Sequence, residues 1–400
     1  MGHRVHKAFT AKTFPSAARL VTILTAGSSY VMMSLLVANQ SSAPVLETAG
    51  QSGRVLTLTV RPEPGETIPG LCRRLAARLR DGEATPLHLL AFGDCRASTA
   101  VADALRQACG RLDWPVTWVE GAACGPHPVA GLQVHAFTGN VERITFQGRT
   151  AGSVFFDGGA RQCVVGGLMP ADISLSRPDQ TRATLETLQA VLAAGGFDLR
   201  DTVRTWFFLD RILSWYDDFN RARTRVYAGL KFRTGSLPAS TGVGAKNPAG
   251  GALALAAWAF RPLRKNSYAE EAASPLQCPA PAYGSSFSRA LEISTNGGRR
   301  LFISGTASIA PGGKTRWTGD VRKQVELTMA VVEAMLHARG FALADLARAT
   351  AYFRHPADAG VFAGWLAENQ LSNLPYVPAH CDVCRDDLLF EIEAEAAIGD

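Results

Sequence analysis

An internal repeat constrains the fold of this chain more than any other feature of its sequence. A fixed offset of 144 residues pairs Gln180 with Gln324 and the Gly-Phe dipeptide at 196 with the one at 340. In each copy the order is a strand, a loop, an amphipathic helix, the Gly-Phe stop, a second strand and a second helix. The sequence therefore predicts two tandem copies of one α+β domain, at residues 151–265 and 280–400.

Each copy is predicted to close with a proline corner and a final strand. The corners are LPAST from Leu237 and VPAHC from Val377, and the final strands are ALALAAWAF and LLFEIEAEA. Two joined copies form a cleft where they meet, and one copy can keep the chemistry while the other supplies structure. Differences between the copies therefore point to the site.

Two further segments precede the repeat. Residues 50–150 alternate strand-like and helix-like stretches, which predicts an N-terminal α/β segment. Residues 1–49 have a basic start and an uncharged stretch at 20–38, which is typical of an export signal or an anchor. Polar residues interrupt that stretch and Met32 or Met33 is an alternative start, so we favour a dispensable or wrongly assigned leader over an export signal.

Charge and cysteine content narrow the class of protein. The net charge is +6, of which residues 1–46, before the first acidic residue, contribute +4, so the body of the chain lacks the basic surface that nucleic acids bind. With 47% hydrophobic residues, a chain of 400 residues builds its cores without disulfides, and its eight cysteines are expected to be free thiols. We predict a cytoplasmic protein with no nucleic-acid partner and no stable membrane association.

Three glutamates distinguish the final strand of the second copy from that of the first. Glu391, Glu393 and Glu395 alternate with apolar residues, so a strand places all three on one face. For Glu393 and Glu395 we predict a solvent-wetted face. Glu391 follows a Leu-Leu-Phe run, where desolvation would raise the pKa of its carboxyl enough for general acid catalysis near neutrality.

The pair Cys381 and Cys384 forms a CxxC motif that leads into a strand. A structural zinc site needs four ligands, and the sequence holds no second CxxC and no HxxxH. A redox dithiol belongs at the start of a helix. We therefore predict no metal site, and we interpret Cys384 as a small residue that lines the site or positions the substrate.

The segment AYGSSFSRALEIS at 282–294 joins the two copies. Its clustered serines are typical of a turn, and nucleophilic serine catalysis would need a GxSxG elbow that is absent from the sequence. Arg289 at this junction is suited to a bidentate grip on a carboxylate, or alternatively to a structural salt bridge. The glycine-rich segment at 244–252 lacks a nucleotide-binding motif, so no nucleotide is implied.

Several phrases of the second copy resemble the Rid/YjgF family, namely SGTAS (304–308), GFALADLARATAYFRHP (340–356), the VPA corner and FEIEAEAA (390–397). More specific phrases resemble the chorismatases, which carry a Rid-like fold in a two-part chain. These phrases are TWFFLDRILSWYDDFNRAR (205–223), LPASTGVGAKNPAG (237–250), YGSSFSRA (283–290), SGTASI (304–309) and DVCRDDLLFEIE (382–393).

The resemblance implies tandem Rid/YjgF-like (chorismate-mutase-like) domains, each a sheet backed by two helices. Such domains typically form trimers with sites between subunits, so a homotrimer or a pseudo-trimer within one chain is expected. It also implies hydrolysis of the enol ether of chorismate to pyruvate and 3-hydroxybenzoate or a dihydrodiol, without any cofactor.

The resemblance also assigns roles to individual residues. The glutamate matching Glu391 protonates the enolpyruvyl methylene, and members that form 3-hydroxybenzoate carry a cysteine matching Cys384. Chorismate has two carboxylates, for which Arg289 is the first expected partner. The remaining expected substrate contacts are Arg204, Arg354, Tyr283 and Thr306.

Two departures keep other functions open. Rid deaminases hold the substrate carboxylate with an arginine directly after the Pro-Ala of the corner, where this chain has Ser240 and His380. The segment APGGKTRWTGD at 310–320 replaces a polar segment that is usual in chorismatases. The alternatives to a chorismatase-like hydrolase are a Rid-type enamine or imine deaminase and a non-catalytic protein that binds a small anion.

Overall fold

The computed structural model describes residues 53–122 and 124–399 of the chain. The leader predicted at 1–49 lies outside these residues. The described part contains three β-sheets and six α-helices. None of those helices is long and apolar enough to cross a membrane.

Two six-stranded sheets share one topology. The middle repeat consists of β5 (Val141–Phe146), β6 (Arg149–Phe156), β7 (Ala160–Leu168), α3 (Arg177–Ala194), β8 (Thr202–Leu209), α4 (Tyr216–Tyr227), β9 (Ala239–Val243) and β10 (Leu253–Pro262). The C-terminal repeat consists of β11 (Tyr268–Ala272), β12 (Ala290–Thr295), β13 (Gly298–Ala307), α5 (Val321–Ala338), β14 (Leu346–Phe353), α6 (Ala359–Glu368), β15 (Tyr376–His380) and β16 (Phe390–Ile398). Their strand orders, β5-β6-β7-β10-β8-β9 and β11-β12-β13-β16-β14-β15, correspond strand by strand, which confirms the predicted tandem α+β architecture.

The N-terminal segment is a third copy of the same unit, which the sequence analysis did not recognise. This N-terminal repeat consists of β1 (Val55–Val60), α1 (Ile68–Asp81), β2 (Thr85–Gly93), α2 (Ser98–Cys109), β3 (Val116–Val119) and β4 (Val129–Phe137). Its order β1-β4-β2-β3 equals that of the last four strands in each six-stranded sheet, and its edge pair β2 and β3 is likewise parallel. Within the described residues this repeat begins at β1 and shows no counterpart of the initial hairpin.

The three sheets pack around a shared core inside a single chain. An edge strand of each repeat contacts the next repeat in a closed cycle, β3 with β7, β9 with β13, and β15 with β4. The inner faces bury Phe92, Trp206 and Tyr352, one from each repeat, in one cluster. The helices cover the outer faces of the sheets in separate clusters. The described part of one chain therefore arranges three repeats around a common core.

The Gly-Phe dipeptide that recurs at the 144-residue offset has the same structural role in both repeats. Gly196 and Gly340 adopt φ values of 75° and 73°, which end α3 and α5 in a left-handed turn. The residues that follow them, Phe197 and Phe341, are buried and donate their backbone N–H groups to carbonyls in the last helical turn at 2.8 and 2.9 Å. The repeated Gly-Phe dipeptide thus both stops the helix and anchors its end in the core.

The proline corners align differently from the prediction. Ala239 of the first corner pairs with Arg204, whereas Ala379 of the second pairs with Tyr352, which lies four positions further along the matching strand. In register, Thr205 faces Ser240 and the corresponding Ala349 faces Tyr376. In this register, the residues that match Pro238-Ala239 are Leu374-Pro375. The Pro-Ala dipeptides of the two corners therefore do not occupy equivalent positions.

The predicted wetted face of the final strand is wrong. Glu393 and Glu395 are 0% and 2% exposed, because this face of β16 points toward the centre where the sheets meet. Arg204 and Arg348 bind the Glu393 carboxylate, and Arg300 binds that of Glu395. Period-two alternation correctly placed the glutamates on one face but could not show that two other sheets cover it.

Candidate active site

A cavity of about 620 Å³ lies between the middle and C-terminal repeats. Helix α4 and strand β9 form one wall, and β13, β16 and the segment at 283–289 form the other. The charged residues on its walls are five arginines and two acids: Arg221, Arg223, Arg225, Arg289, Arg385, Asp217 and Glu391. The excess of arginine suits an anionic ligand.

Glu391 provides the buried carboxyl of this cavity. Its side chain is 4% exposed. Burial is the main cause that raises its pKa to about 8, and the neighbouring Glu393 carboxylate raises it further, while Arg289 and Arg204 oppose the shift. The raised pKa favours the protonated carboxyl at neutral pH, which is the form that can donate a proton.

Neither of the other repeats has an acid at this position. The matching cross-strand pairs are Phe92–Gly131, Phe208–Ala254 and Tyr352–Glu391. At Gly131 the place of a side chain is taken by Val377 from the adjacent repeat, because an added Cβ would overlap it. Among the described residues, only the cleft between the middle and C-terminal repeats combines this position with a carboxyl.

Arg289 is buried but has no carboxylate partner among the described residues. Its Nε donates to the carbonyl of Cys278 at 3.1 Å, and one of its terminal nitrogens has no hydrogen-bond partner. The guanidinium lies 5.3 Å from the ring centroid of Tyr283 and 5.6 Å from that of Phe287. Among the described residues Arg289 therefore forms no salt bridge, which was one of its two predicted roles. One of its nitrogens is left to bind an anion, as the other role requires.

A second buried arginine, Arg223 on α4, was missed by the sequence analysis. It donates to Asn220 at 2.8 Å and contacts the hydroxyl of Ser240 at 3.4 Å, and its Nε has no partner. Its guanidinium packs over the rings of Phe207 and Phe219. Burial without an ion pair lowers the pKa of Arg223, and an anionic ligand would offset that cost.

Cys384 and Tyr283 line the same cavity. Burial raises the pKa of the Cys384 thiol to about 12, and Glu391 adds to this shift. Burial also raises the pKa of the Tyr283 phenol to about 12. Both groups are neutral near pH 7, so Cys384 contributes shape and a weak hydrogen bond rather than a thiolate nucleophile.

Three predicted substrate contacts do not reach the cavity wall. Arg204 is buried against Glu393 and Thr241. Thr306 points to the opposite face of β13 from the neighbouring Gly305 and Ala307, and its hydroxyl donates to the Ser304 carbonyl at 2.8 Å. Arg354 is half-buried and binds the carbonyl of Asp386.

The unusual segment at 310–320 is fastened to the edge of the cavity. Arg385 donates to the Gly313 carbonyl at 2.7 Å, and the Thr315 hydroxyl donates to Asp387 at 2.9 Å. Of the two corner positions, Ser240 lines the cavity, whereas His380 is exposed and lies away from it. The described residues contain no group of three or more His, Cys, Asp or Glu that could hold a metal ion.

Comparisons with known proteins agree with this architecture. No protein-family model matches the chain. A chorismatase of Streptomyces rapamycinicus is 30% identical over 235 residues, which are 52% of this chain and 69% of that relative. A 3-hydroxybenzoate synthase of Streptomyces hygroscopicus is 27% identical over 242 residues, which are 54% of this chain and 68% of that relative.

A solved structure extends the likeness to the fold of nearly the whole described chain. The crystal structure of a chorismatase superposes with a TM-score of 0.62 at 22% identity and covers 86% of this chain and 98% of that one. At that identity the superposition supports the fold, while the sequence match to the Streptomyces rapamycinicus relative extends over more than two thirds of that protein. This chain belongs to the chorismatase family.

Proposed function

We propose that this chain cleaves the enolpyruvyl ether of chorismate and releases pyruvate, with Glu391 as the general acid. The observation that carries the proposal is a buried carboxyl, with its pKa raised to about 8, that faces an arginine-walled cavity. Relatives named chorismatase and 3-hydroxybenzoate synthase support this substrate.

The chemistry begins with proton transfer from the Glu391 carboxyl to the enolpyruvyl methylene carbon. That methylene becomes the methyl group of pyruvate, and the adjacent ether carbon becomes electron-poor. Addition of water gives a hemiketal that breaks down to pyruvate and a dihydrodiol, and a proton returns to Glu391. When the substrate's own hydroxyl attacks instead, its oxygen bonds to the ether carbon and its proton returns to Glu391. The bond from that oxygen to the ring and the original bond between the ether oxygen and that carbon then break, which releases pyruvate, and the ring loses a proton to form 3-hydroxybenzoate, so the two products together contain all the atoms of chorismate.

The two buried arginines support binding of a dicarboxylate. Arg289 and Arg223 approach the cavity from the C-terminal and middle repeats respectively. Each has an unpaired nitrogen in a desolvated place, where a charge-assisted hydrogen bond to a carboxylate is strong. Two carboxylates held from opposite walls would fix the enol ether between them, close to the acid.

Two further proposals concern the number of chains needed for activity and the location of the protein. Because one chain supplies both walls of the site, we propose that a single chain is sufficient for activity. We also propose a cytoplasmic location, since all eight cysteines are free thiols, as is usual in a reducing compartment.

The test is pyruvate release from chorismate, followed with a coupled lactate dehydrogenase assay and with chromatography of the aromatic product. Glu391→Gln is expected to lower kcat/KM by about 10²- to 10⁴-fold, the usual contribution of a general acid. Glu326→Gln, an exposed glutamate on α5, is the matched control and should retain wild-type rates. Thermal melting confirms that both variants fold.

The same preparation separates the alternative functions. Saturable binding of chorismate by the folded wild type without pyruvate would show a binding protein. Ammonia release from 2-iminopropionate without activity on chorismate would show a Rid-type deaminase. Either outcome would overturn the proposed function.

A further inference from the structure

Glu393 is a second buried carboxylate beside the proposed acid, and the mechanism above gives it no role. It lies two residues after Glu391 on the same face of β16 and is 0% exposed. Arg204 of the middle repeat and Arg348 of the C-terminal repeat bind its two oxygens. The hydroxyls of Thr241 and Thr350 also donate to it, at 2.8 and 3.2 Å.

Packing alone does not explain this charge. The cross-strand pairs Trp206–Ala256, Leu90–Gln133 and Thr350–Glu393 are equivalent in the three repeats, so the fold accepts an uncharged residue at this position twice. Buried ion pairs are commonly no more stabilising than apolar residues of similar volume. The distinctive property of the C-terminal repeat is that Glu391 lies next to this position.

Thr241 lies close to both carboxyls. Thr241 donates its hydroxyl to Glu393, and its methyl group lies within contact distance of the space beside Gly305. That space is occupied by the Glu391 carboxyl. Arg204 binds both Glu393 and Thr241, and both glutamates are buried, so a change in the charge of Glu393 acts on Glu391 with little screening by solvent.

We propose that Glu393 is a positioning residue that keeps the Glu391 carboxyl protonated at neutral pH, by holding a fixed negative charge beside it. The proposal rests on the proposed function of Glu391 as the acid. Arg348 and Arg204 supply the complementary charges that keep Glu393 itself ionised. Glu391 is then the proton donor, and Glu393 remains an anion. Such a division between neighbouring carboxyls is a general way to separate their protonation states.

The surrounding groups act in opposite directions on the two carboxyls. Burial alone would raise the pKa of Glu393, but Arg348, Arg204 and the two threonine hydroxyls hold it below its usual value. For Glu391, burial and Glu393 raise the pKa, while Arg289 and Arg204 lower it. The other titratable groups that face the pair are Cys381, Cys384, Tyr216, Tyr352 and His135.

The test is a ¹³C-carboxyl NMR titration of Glu391, assigned by its loss in Glu391→Gln. Glu393→Gln should shift the midpoint of Glu391 down by about one pH unit, because it removes a like charge and leaves Arg204 uncompensated. The alkaline limb of kcat/KM should move by the same amount. Glu395→Gln is the matched control, since it also breaks a buried pair, with Arg300, but lies two residues further from Glu391.

Each outcome decides the proposal. An unchanged Glu391 midpoint in Glu393→Gln, or an equal shift in Glu395→Gln, would overturn it. If Glu393→Gln does not fold, the charge-balanced pair Arg348→Met with Glu393→Gln should still show the downward shift. The titration needs no turnover, so a wild type without pyruvate release would refute the proposed function while the Glu391 midpoint still reports on Glu393.

Discussion

The carboxyl of Glu391 lies directly against the backbone of Gly305 on the neighbouring strand. A Cβ added at Gly305 would overlap Oε1 of Glu391 and come within 3.4 Å of the methyl group of Thr241. The strands β13 and β16 pair side by side at this point, with Ala307 opposite Glu391. The pocket for the acid is therefore made by the absence of a side chain at one position of the adjacent strand.

Gly305→Ala is expected to displace the Glu391 carboxyl and to lower kcat/KM for pyruvate release by about 100-fold. A shift of about 1 Å in a reacting group has an effect of this size. Gly364→Ala on α6 is the control, because its Cβ meets no atom within 4 Å; it should keep wild-type activity and melt at or slightly above the wild-type temperature, since alanine favours the helix. Full activity of Gly305→Ala would show that the position of Glu391 tolerates movement.

The pH profile follows from the raised pKa of Glu391. Burial raises this pKa from 4.5 to about 8, and the acid is active only when protonated. We therefore expect kcat/KM to be retained below about pH 8 and to fall about tenfold for each pH unit above it, measured in buffers of constant ionic strength. An activity that instead rises through this range would indicate that Glu391 acts as a base.

Local signals in the sequence predicted much of the fold. The Gly-Phe stops and the paired glutamines carry direct structural roles. Gln180 accepts a backbone hydrogen bond from Ala252 and Gln324 accepts one from Leu389, both at 2.8 Å, at the start of each final strand. The N-terminal repeat escaped detection because it has neither the glutamine nor the Gly-Phe stop, and only its strand order reveals it.

The difference between the copies led the sequence analysis to Glu391, which lies in the cavity, but the burial that decides the roles of the arginines could not be read from the sequence. Glu391 stood out as an ionisable residue in an otherwise apolar strand. By contrast, the sequence does not show which group an arginine on a strand or a helix will bind. Arg204 was expected to bind substrate but pairs with Glu393, whereas Arg223 follows Phe219 by one helical turn and lies on the buried face of α4.

Removal of either buried cavity arginine that lacks an ion pair should weaken substrate binding. Arg289→Met and Arg223→Met are each expected to raise KM for chorismate by roughly 10- to 100-fold, the value of one charge-assisted contact in a desolvated place. Arg106→Met on α2 is the control, since Arg106 is exposed and does not line the cavity. An unchanged KM in both cavity variants would exclude carboxylate binding at these positions.

Asp157 should make the stability of the fold depend on pH. Its carboxyl is 7% exposed and accepts from Gln162 and from Thr295 at 3.3 Å, and its other oxygen has no partner. Burial raises its pKa to about 7, above the value of 3.8 expected when the chain is unfolded. The folded state therefore binds more protons between about pH 4 and 7, so the free energy of unfolding decreases as the pH rises through that window.

Asp157→Asn keeps an acceptor for Gln162 but removes the ionisation. We expect this variant to be more stable than the wild type at pH 8, by up to about 4 kcal/mol from a pKa difference of roughly three units, and nearly equal to it at pH 4. Urea unfolding at both pH values measures the difference, with Asp103→Asn on the exposed surface of α2 as the control. A variant that is less stable than the wild type at pH 8 would show that the ionised carboxylate is stabilised in place, with Arg300 as the cation that favours its charge.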